Sequence, residues 1–213
     1  MNKQIIKEFQ DHPTTHLVAV SKTRSVQQIQ QVYNEGIRRF GENRVQELVE
    51  KKDQLPDDIA WHLIGSLQKN KVKYIATFVA LIHSVDTIGL LKEINKQGKK
   101  NERKIDVLLQ FHIASESTKH GFDFEEFKHL DINYEALDYV NIKGVMGMAT
   151  FTSDKDIVAA EFKRLKHIFN FIKENKITEA SSFTEISMGM SGDYKLAIQE
   201  GSTMVRIGSL LFS

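Results

Sequence analysis

Short apolar runs alternate with longer stretches of helical period eight times along this chain, and that alternation is what most restricts its fold. The first run, His16-Leu17-Val18-Ala19-Val20-Ser21, is continuous enough for a strand buried on both faces. A helical stretch from Ser25 to Glu35 follows, with Val26, Ile29, Val32 and Tyr33 on one face and Gly36 as its stop. The second run is Arg39 to Asn43, and its helix carries Val45, Leu48 and Val49. The third is Trp61 to Gly65, with a helix predicted near Lys69 to Phe78. The fourth is Leu81 to Val85, followed by a helix from Ile88 to Gln97. The fifth is Ile105 to Ile113, followed by a weaker helical period from Phe124 to Leu130. The sixth is Ile142 to Met148. Its helix is the most regular, with Ile157, Val158, Glu161, Phe162, Leu165, Ile168, Phe169 and Ile172 at helical spacing and only Glu161 polar. The seventh is Phe183 to Met188, with a short helix from Tyr194 to Glu200, and the eighth is Met204 to Gly208.

Eight such units predict an α/β fold in which a parallel sheet closes on itself, a single (β/α)8 TIM-like barrel over residues 1–213. At this length the barrel is near its lower size limit and its loops are short. An open doubly wound sheet is the alternative. Against it, no Gly-x-Gly-x-x-Gly turn follows the first strand, and the last apolar run supplies an eighth strand where a barrel would close.

Composition removes several function classes. The chain has no cysteine, which excludes disulfides, thiolate catalysis and cysteine-based metal sites. Net charge is +1, with lysines and acids interspersed, so there is no one-sided basic footprint for nucleic acid. The basic run Lys99 to Lys104 reads as a solvated loop. The first ten residues lack the apolar core of a signal peptide, and no stretch approaches the about 20 apolar residues of a membrane span. A cytoplasmic protein is expected.

In a parallel barrel the site lies at the C-terminal ends of the strands. The polar residues just beyond the apolar runs are therefore the candidates. They are Lys22; Glu42 and Asn43; Gly65, Ser66 and Gln68; Ser84 and Asp86; Ser187 to Ser191; and Arg206, Gly208 and Ser209. Lys22 is the most pointed. A lysine directly after a buried strand is expected to be partly desolvated, which favours its neutral amine, and a neutral amine attacks an aldehyde to form a Schiff base. Taken alone, Lys22 reads first as a surface lysine at a strand end, because lysine is common there.

Two clusters of small residues are the second signal. Ser187-Met188-Gly189-Met190-Ser191-Gly192-Asp193 precedes a predicted helix, and Glu200-Gly201-Ser202-Thr203 leads into the last strand. Small residues let backbone approach an anion, and barrels often bind phosphate around strands seven and eight. Each cluster alone is equally a tight turn. A lysine for an aldehyde, a phosphate cup and an arginine near the ring position form a constellation shaped for pyridoxal 5′-phosphate, PLP. An arginine is permanently cationic and disfavours protonation of the pyridine, which leaves a weaker electron sink than an aspartate would.

These residues carry a resemblance. The stretches Ala19-Val20-Ser21-Lys22-Thr23, Phe40 to Glu47, Trp61 to Gly65 with Leu67 to Lys71, Ser187 to Ser191, and Glu200 to Gly208 together resemble the PLP-homeostasis proteins of the YggS/PROSC type, which are similar to the N-terminal barrel of alanine racemase. The resemblance implies that Lys22 forms an internal aldimine, that Asn43 lies beside the ring, and that His62 lies under or beside the cofactor. As read from residues alone, His62 is equally a packed barrel histidine. It implies that Met188, Gly189, Ser191, Gly201, Ser202 and Thr203 line the phosphate cup. Ser84 and Gly208 complete the expected cofactor-binding set. Arg206 is expected to face the pyridine nitrogen, with a phosphate contact as the alternative. Two places depart from the family pattern. Ser66 stands where a proline or histidine is usual, and the stretch Phe111 to Gly121 keeps chiefly Lys119 and Gly121.

The implied function is to hold PLP and take part in its intracellular homeostasis or delivery to PLP-requiring client enzymes, without turnover. An amino-acid racemase is the alternative. Racemisation needs two bases, and alanine racemases take the second, a tyrosine, from a separate C-terminal domain in a dimer. The chain ends soon after Gly208, and Tyr33, Tyr74, Tyr134, Tyr139 and Tyr194 fall in predicted helices or loops away from the barrel mouth. A monomer is expected for the same reason. A Schiff-base aldolase acting on a sugar phosphate would want its lysine on a later strand with an acid nearby.

Overall fold

The computed structural model describes residues 1–10, 12, 14–115, 120–177 and 181–213, so Lys119 lies outside the described residues. Eight parallel strands close in sequence order: β1 (His16–Val20), β2 (Arg39–Glu42), β3 (Ala60–Leu63), β4 (Leu81–Val85), β5 (Ile105–Gln110), β6 (Val140–Met146), β7 (Glu185–Ser187) and β8 (Met204–Ile207). The seam between first and last is fully paired, with His16, Leu17, Val18 and Ala19 opposite Met204, Val205, Arg206 and Ile207. The closed barrel is the expected fold, and the open sheet is set aside.

Successive strand residues point to opposite faces, and the apolar residues divide accordingly. Leu17, Ala19, Phe40, Ile82, Val107, Val145, Ile186 and Val205 pack outward in the large core under the helices. Val18, Leu81, Leu108, Met146 and Met204 form a separate small cluster that fills the barrel. The large outer core is why the strands read as continuous apolar runs.

The helices follow their local signals. Helix α2 (Val26–Asn34) opens on a capping box between Ser25 and Gln28, and α3 (Val45–Lys52) and α4 (Ile88–Lys100) follow their strands. Helix α5 (Phe124–Lys128) is short, as its weak period implied. Helix α6 (Lys155–Asn175) is capped by Asp154 and buries the expected stripe from Val158 to Ile172, while Ile157, expected on the same face, is exposed. Helix α7 (Tyr194–Gln199) leads into β8.

Two local expectations are corrected. The segment predicted as a helix from Lys69 to Phe78 is a 3-10 helix ending at Tyr74, because only Val72 of its six residues is buried and no apolar stripe sustains an α-helix. The fifth strand ends at Gln110. Phe111 instead bridges Phe122 and packs among Phe124 and Phe127. Two terminal helices were not anticipated, α1 (Lys3–Gln10) and α8 (Ser209–Phe212). Helix α1 buries Ile5, Ile6 and Phe9, and the Asn2 amide donates to the Leu211 carbonyl at 2.8 Å, so the two ends are tied together. Among the described residues, no helix is long and apolar enough to cross a membrane.

Candidate functional site

Lys22 stands immediately beyond β1 and is exposed, so the partial desolvation expected of it is not found. The reason is position: the strand ends at Val20, Ser21 is the last buried residue, and the chain turns out over the rim at Lys22. The turn is unusual. Thr23 has φ +62, a left-handed conformation that a β-branched residue rarely adopts. Its amide is held by Glu47 Oε1 at 2.7 Å.

A buried charged network lies behind this turn. The Lys51 ammonium, on α3, donates to the Ser21 carbonyl at 2.8 Å, to Glu42 Oε1 at 2.8 Å and to Glu47 Oε1 at 2.6 Å. Ser21 Oγ donates to the same Glu42 oxygen at 2.5 Å. Glu42 is fully buried and its second oxygen has no partner. Burial pushes its carboxyl up, against the opposing pull of the bonds from Lys51 and Ser21. Desolvation also works against Glu47, but the bonds from Lys51 and the Thr23 amide prevail and hold it below the usual carboxylate range. The sequence pointed to Glu42 only as a strand-end residue, and Lys51 and Glu47 were missed.

A second network runs through the barrel. Arg206 is 4% exposed; its Nη1 donates to Ser187 Oγ at 2.5 Å and its Nη2 to the Gly147 carbonyl at 3.1 Å. Ser187 Oγ lies 3.0 Å from His83 Nδ1, and His83 Nε2 lies 2.8 Å from His62 Nδ1. Strands β8, β7, β4 and β3 each contribute one side chain. Burial dominates the electrostatics. It lowers His62 to about 3, with Arg39 and His16 adding to the effect, and holds His83 well below the ordinary value, so both rings are neutral at pH 7. Arg206 is lowered to about 10 by burial, with Asp193 opposing, and stays cationic. Two proton arrangements satisfy the chain: Ser187 donates to His83 and His83 to His62, or both bonds run the other way. His62 is thus a link in a buried chain, to which Ser187, a strand-end candidate in the sequence, also belongs, and His83 is a member that periodicity alone did not single out.

The small-residue clusters separate. Ser191, Gly208 and Arg206 are at or beyond the C-terminal ends of β7 and β8, the end that carries Lys22 on the neighbouring β1. The Leu210 amide points at Ser191 Oγ, 3.5 Å away, so the two loops meet. Gly189 has φ +94, and a Cβ there would come within 2.6 Å of Ala197 Cβ, which explains the glycine. Gly201, Ser202 and Thr203 precede β8 and lie at the opposite end of the barrel. The Thr203 carbonyl accepts from the His16 amide at the start of β1, and the Ser202 hydroxyl is buried against the Met188 and Met204 carbonyls. Met188 itself packs in the outer core. None of these four residues meets Lys22. A small-residue loop looks the same on either side of a strand, but only loops after strands reach the site end.

Asn43 follows β2 and is half-buried. Gly65 packs on it so closely that a Cβ would fall 2.3 Å from the Asn43 carbonyl oxygen. Ser84 is buried and its hydroxyl donates to the Gly65 carbonyl at 2.6 Å, so it braces the loop that presents Asn43.

This mouth fits an aldehyde-bearing phosphate. The amides of Ser191, Gly192, Gly208 and Ser209 donate to no acceptor among the described residues, which leaves four N–H groups in the two facing loops. A fixed cation, Arg206, lies on β8, which carries one of those loops and pairs with the strand that precedes Lys22, and the lysine is accessible.

The class of this closed barrel is that of the alanine racemase barrel. The model of that family, "Alanine racemase, N-terminal domain", matches residues 1–213. The barrel superposes on alanine racemase from Clostridium difficile with TM-score 0.80 at 15% identity, covering 98% of this chain and 58% of that one, a likeness of fold alone. Within that class the chain belongs to the pyridoxal phosphate homeostasis protein family. It is 39% identical to the protein of that name from Aquifex aeolicus over 197 residues, 92% of this chain and 85% of that one. It is 34% identical to the one from Schizosaccharomyces pombe, over 92% and 82% of the two chains. PipY from Synechococcus elongatus, solved without PLP and with PLP bound, superposes with TM-scores of 0.90 and 0.87 at 31% identity over 99% of both chains.

Proposed function

We propose that this chain binds PLP, holds it through Lys22 as a Schiff base, and serves PLP homeostasis by keeping and handing on the cofactor without turning over a substrate. The observation that carries the reading is the grouping on β7, β8 and β1. There an accessible lysine, a buried arginine and two facing loops with unengaged amides share one end of the barrel. PLP supplies an aldehyde whose carbon bonds to the lysine nitrogen while its oxygen leaves as water. The amides of Ser191, Gly192, Gly208 and Ser209 receive the phosphate, with Asn43 at the ring. Arg206 faces the pyridine nitrogen and keeps it unprotonated.

Two features support holding over turnover. The relatives carry the name of homeostasis proteins, whereas the fixed Arg206 cation, which makes the cofactor a weak electron sink, suits a racemase-like and a non-catalytic role alike. The tyrosines offer no second base beside Lys22. Tyr33 donates to Asp58 and Tyr194 to Glu8, Tyr134 is enclosed without a partner, Tyr139 precedes β6, and Tyr74 is exposed on the 3-10 helix. We assign the protein to the cytoplasm as a monomer, with PLP-requiring enzymes as its clients.

The test is the visible absorption spectrum of the purified protein with and without added PLP. A visible band that borohydride abolishes, with the added mass on a peptide containing Lys22 and no band in Lys22→Ala, is the expected result. No band with excess PLP overturns the reading. Racemisation of any amino acid near about 1 s⁻¹, the low end of typical turnover, overturns the non-catalytic part.

A further inference from the structure

We propose that Lys51 is a positioning residue for Lys22: its ammonium, acting directly and through Glu47, holds the peptide groups on both sides of Lys22 and so aims the amine into the barrel mouth. The inference rests on the reading of Lys22 as the PLP-binding lysine.

The geometry is specific. An ammonium has three N–H donors and no acceptor. Lys51 uses its donors on the Ser21 carbonyl, Glu42 Oε1 and Glu47 Oε1, at 2.8, 2.8 and 2.6 Å. The Ser21 carbonyl belongs to the peptide group preceding Lys22. The Thr23 amide, which Glu47 Oε1 accepts at 2.7 Å, belongs to the peptide group following it. One cation therefore fixes both peptides that flank the lysine, and a single carboxylate oxygen joins Lys51 to Thr23.

Stability is a weak reason for such an arrangement. Lys51 is 6% exposed and Glu42 is fully enclosed. Taking both charges out of water costs roughly what their attraction returns, and well-packed apolar residues of the same size often serve a fold better. A Thr at φ +62 adds strain, and such strain persists only where the surroundings over-determine it. Here the Glu47 bond does so. The network holds in place an exposed residue with a long, flexible stem whose free motion would otherwise oppose capture of an aldehyde.

The experiment compares two ligands on wild type, Lys51→Met and Lys51→Arg. PLP bonds to Lys22. Its 4′-deoxy analogue has the same ring and phosphate but no aldehyde. The expected result is that Lys51→Met weakens PLP binding and slows growth of the visible band by about tenfold or more, the scale of a lost hydrogen bond to a charged group. The analogue keeps its affinity within about twofold, and Lys51→Arg recovers part of the loss because it restores the cation. Equal weakening of both ligands overturns the proposal in favour of a general structural role, and so does unchanged PLP binding. Where Lys51→Met does not fold because Glu42 is left buried without its cation, the double variant Lys51→Met/Glu42→Gln removes both charges and faces the same two ligands with the same expectation. If wild type itself yields no borohydride-trapped mass on Lys22, the reading of the site falls first, which is a distinct outcome.

Discussion

His62 Nδ1 and His83 Nε2 face each other at 2.8 Å inside the barrel, and through Ser187 the pair is joined to the Arg206 guanidinium. Two neutral imidazoles, one hydroxyl and one cation thus form a continuous polar path through an apolar core that also holds Val18, Leu108 and Met146. In such surroundings each member depends on its partner, because an unpaired buried polar group is costly.

Ser187→Ala removes the acceptor of Arg206 Nη1, leaving Nη2 on the Gly147 carbonyl, and the partner of His83 together. The variant is expected to lose about 1–3 kcal/mol of stability, the cost of leaving a buried donor unsatisfied, and more if Arg206 finds no new acceptor. Urea unfolding followed by circular dichroism measures it. A loss below about 0.5 kcal/mol, the range of an unremarkable surface change, shows that the chain is dispensable.

Stability should fall on mild acidification. His62 is lowered from 6.5 to about 3 in the folded protein, and His83 shifts in the same direction. Above the unfolded value both states leave the rings neutral, and the full stability is present. As pH falls below that value the unfolded chain takes up protons that the folded chain refuses, so stability is lost down toward the folded value. The slope approaches roughly 1 kcal/mol per pH unit for each histidine. Urea midpoints at pH 7 and pH 5 check the sign, and replacing His62 and His83 together should flatten the dependence.

Two serines from similar-looking sequence should behave oppositely. Ser202 lies at the far end of the barrel with its hydroxyl on backbone carbonyls, so Ser202→Ala should lower stability and leave PLP affinity within about twofold. Ser191 lies in the loop that meets the end of β8 and adds a hydroxyl donor to its amide at the proposed phosphate position, so Ser191→Ala, which removes that hydroxyl, should weaken PLP about tenfold with little effect on folding. Calorimetric titration of folded protein separates them. The reverse pattern would place the phosphate at the wrong end of the barrel.

Neighbouring glycines provide a backbone test. Gly189 has φ +94 and no room for a methyl group, so Gly189→Ala should cost about 1–3 kcal/mol. At Gly192 nothing lies within 4 Å of an added Cβ and φ is not in the left-handed range, so Gly192→Ala should stay within about 0.5 kcal/mol. Thermal unfolding of the two variants gives the comparison.

The amino-acid sequence by itself determined the eight strand and helix units, their order, and the place of Lys22 just beyond the first strand. Periodicity and local chain direction are properties of neighbouring residues, and strands apolar on both faces mark a parallel sheet covered on both sides; its closure is the pairing of β8 with β1. It also contained a signal for α1, since Ile5, Ile6 and Phe9 already share one face. The barrel ends could have been told apart as well: Gly201 to Thr203 stand before a strand and Ser191 after one. Tertiary structure alone decided the rest. Lys51 meets Ser21 across thirty residues and His83 meets Ser187 across 104, contacts that exist only once α3 packs against the rim and the barrel has closed. A lysine on a surface-type helix and a histidine in a strand carry no local mark of such partners. What gives them a role is the low-dielectric interior in which they end up, where every donor must find an acceptor and the acceptors come from distant strands.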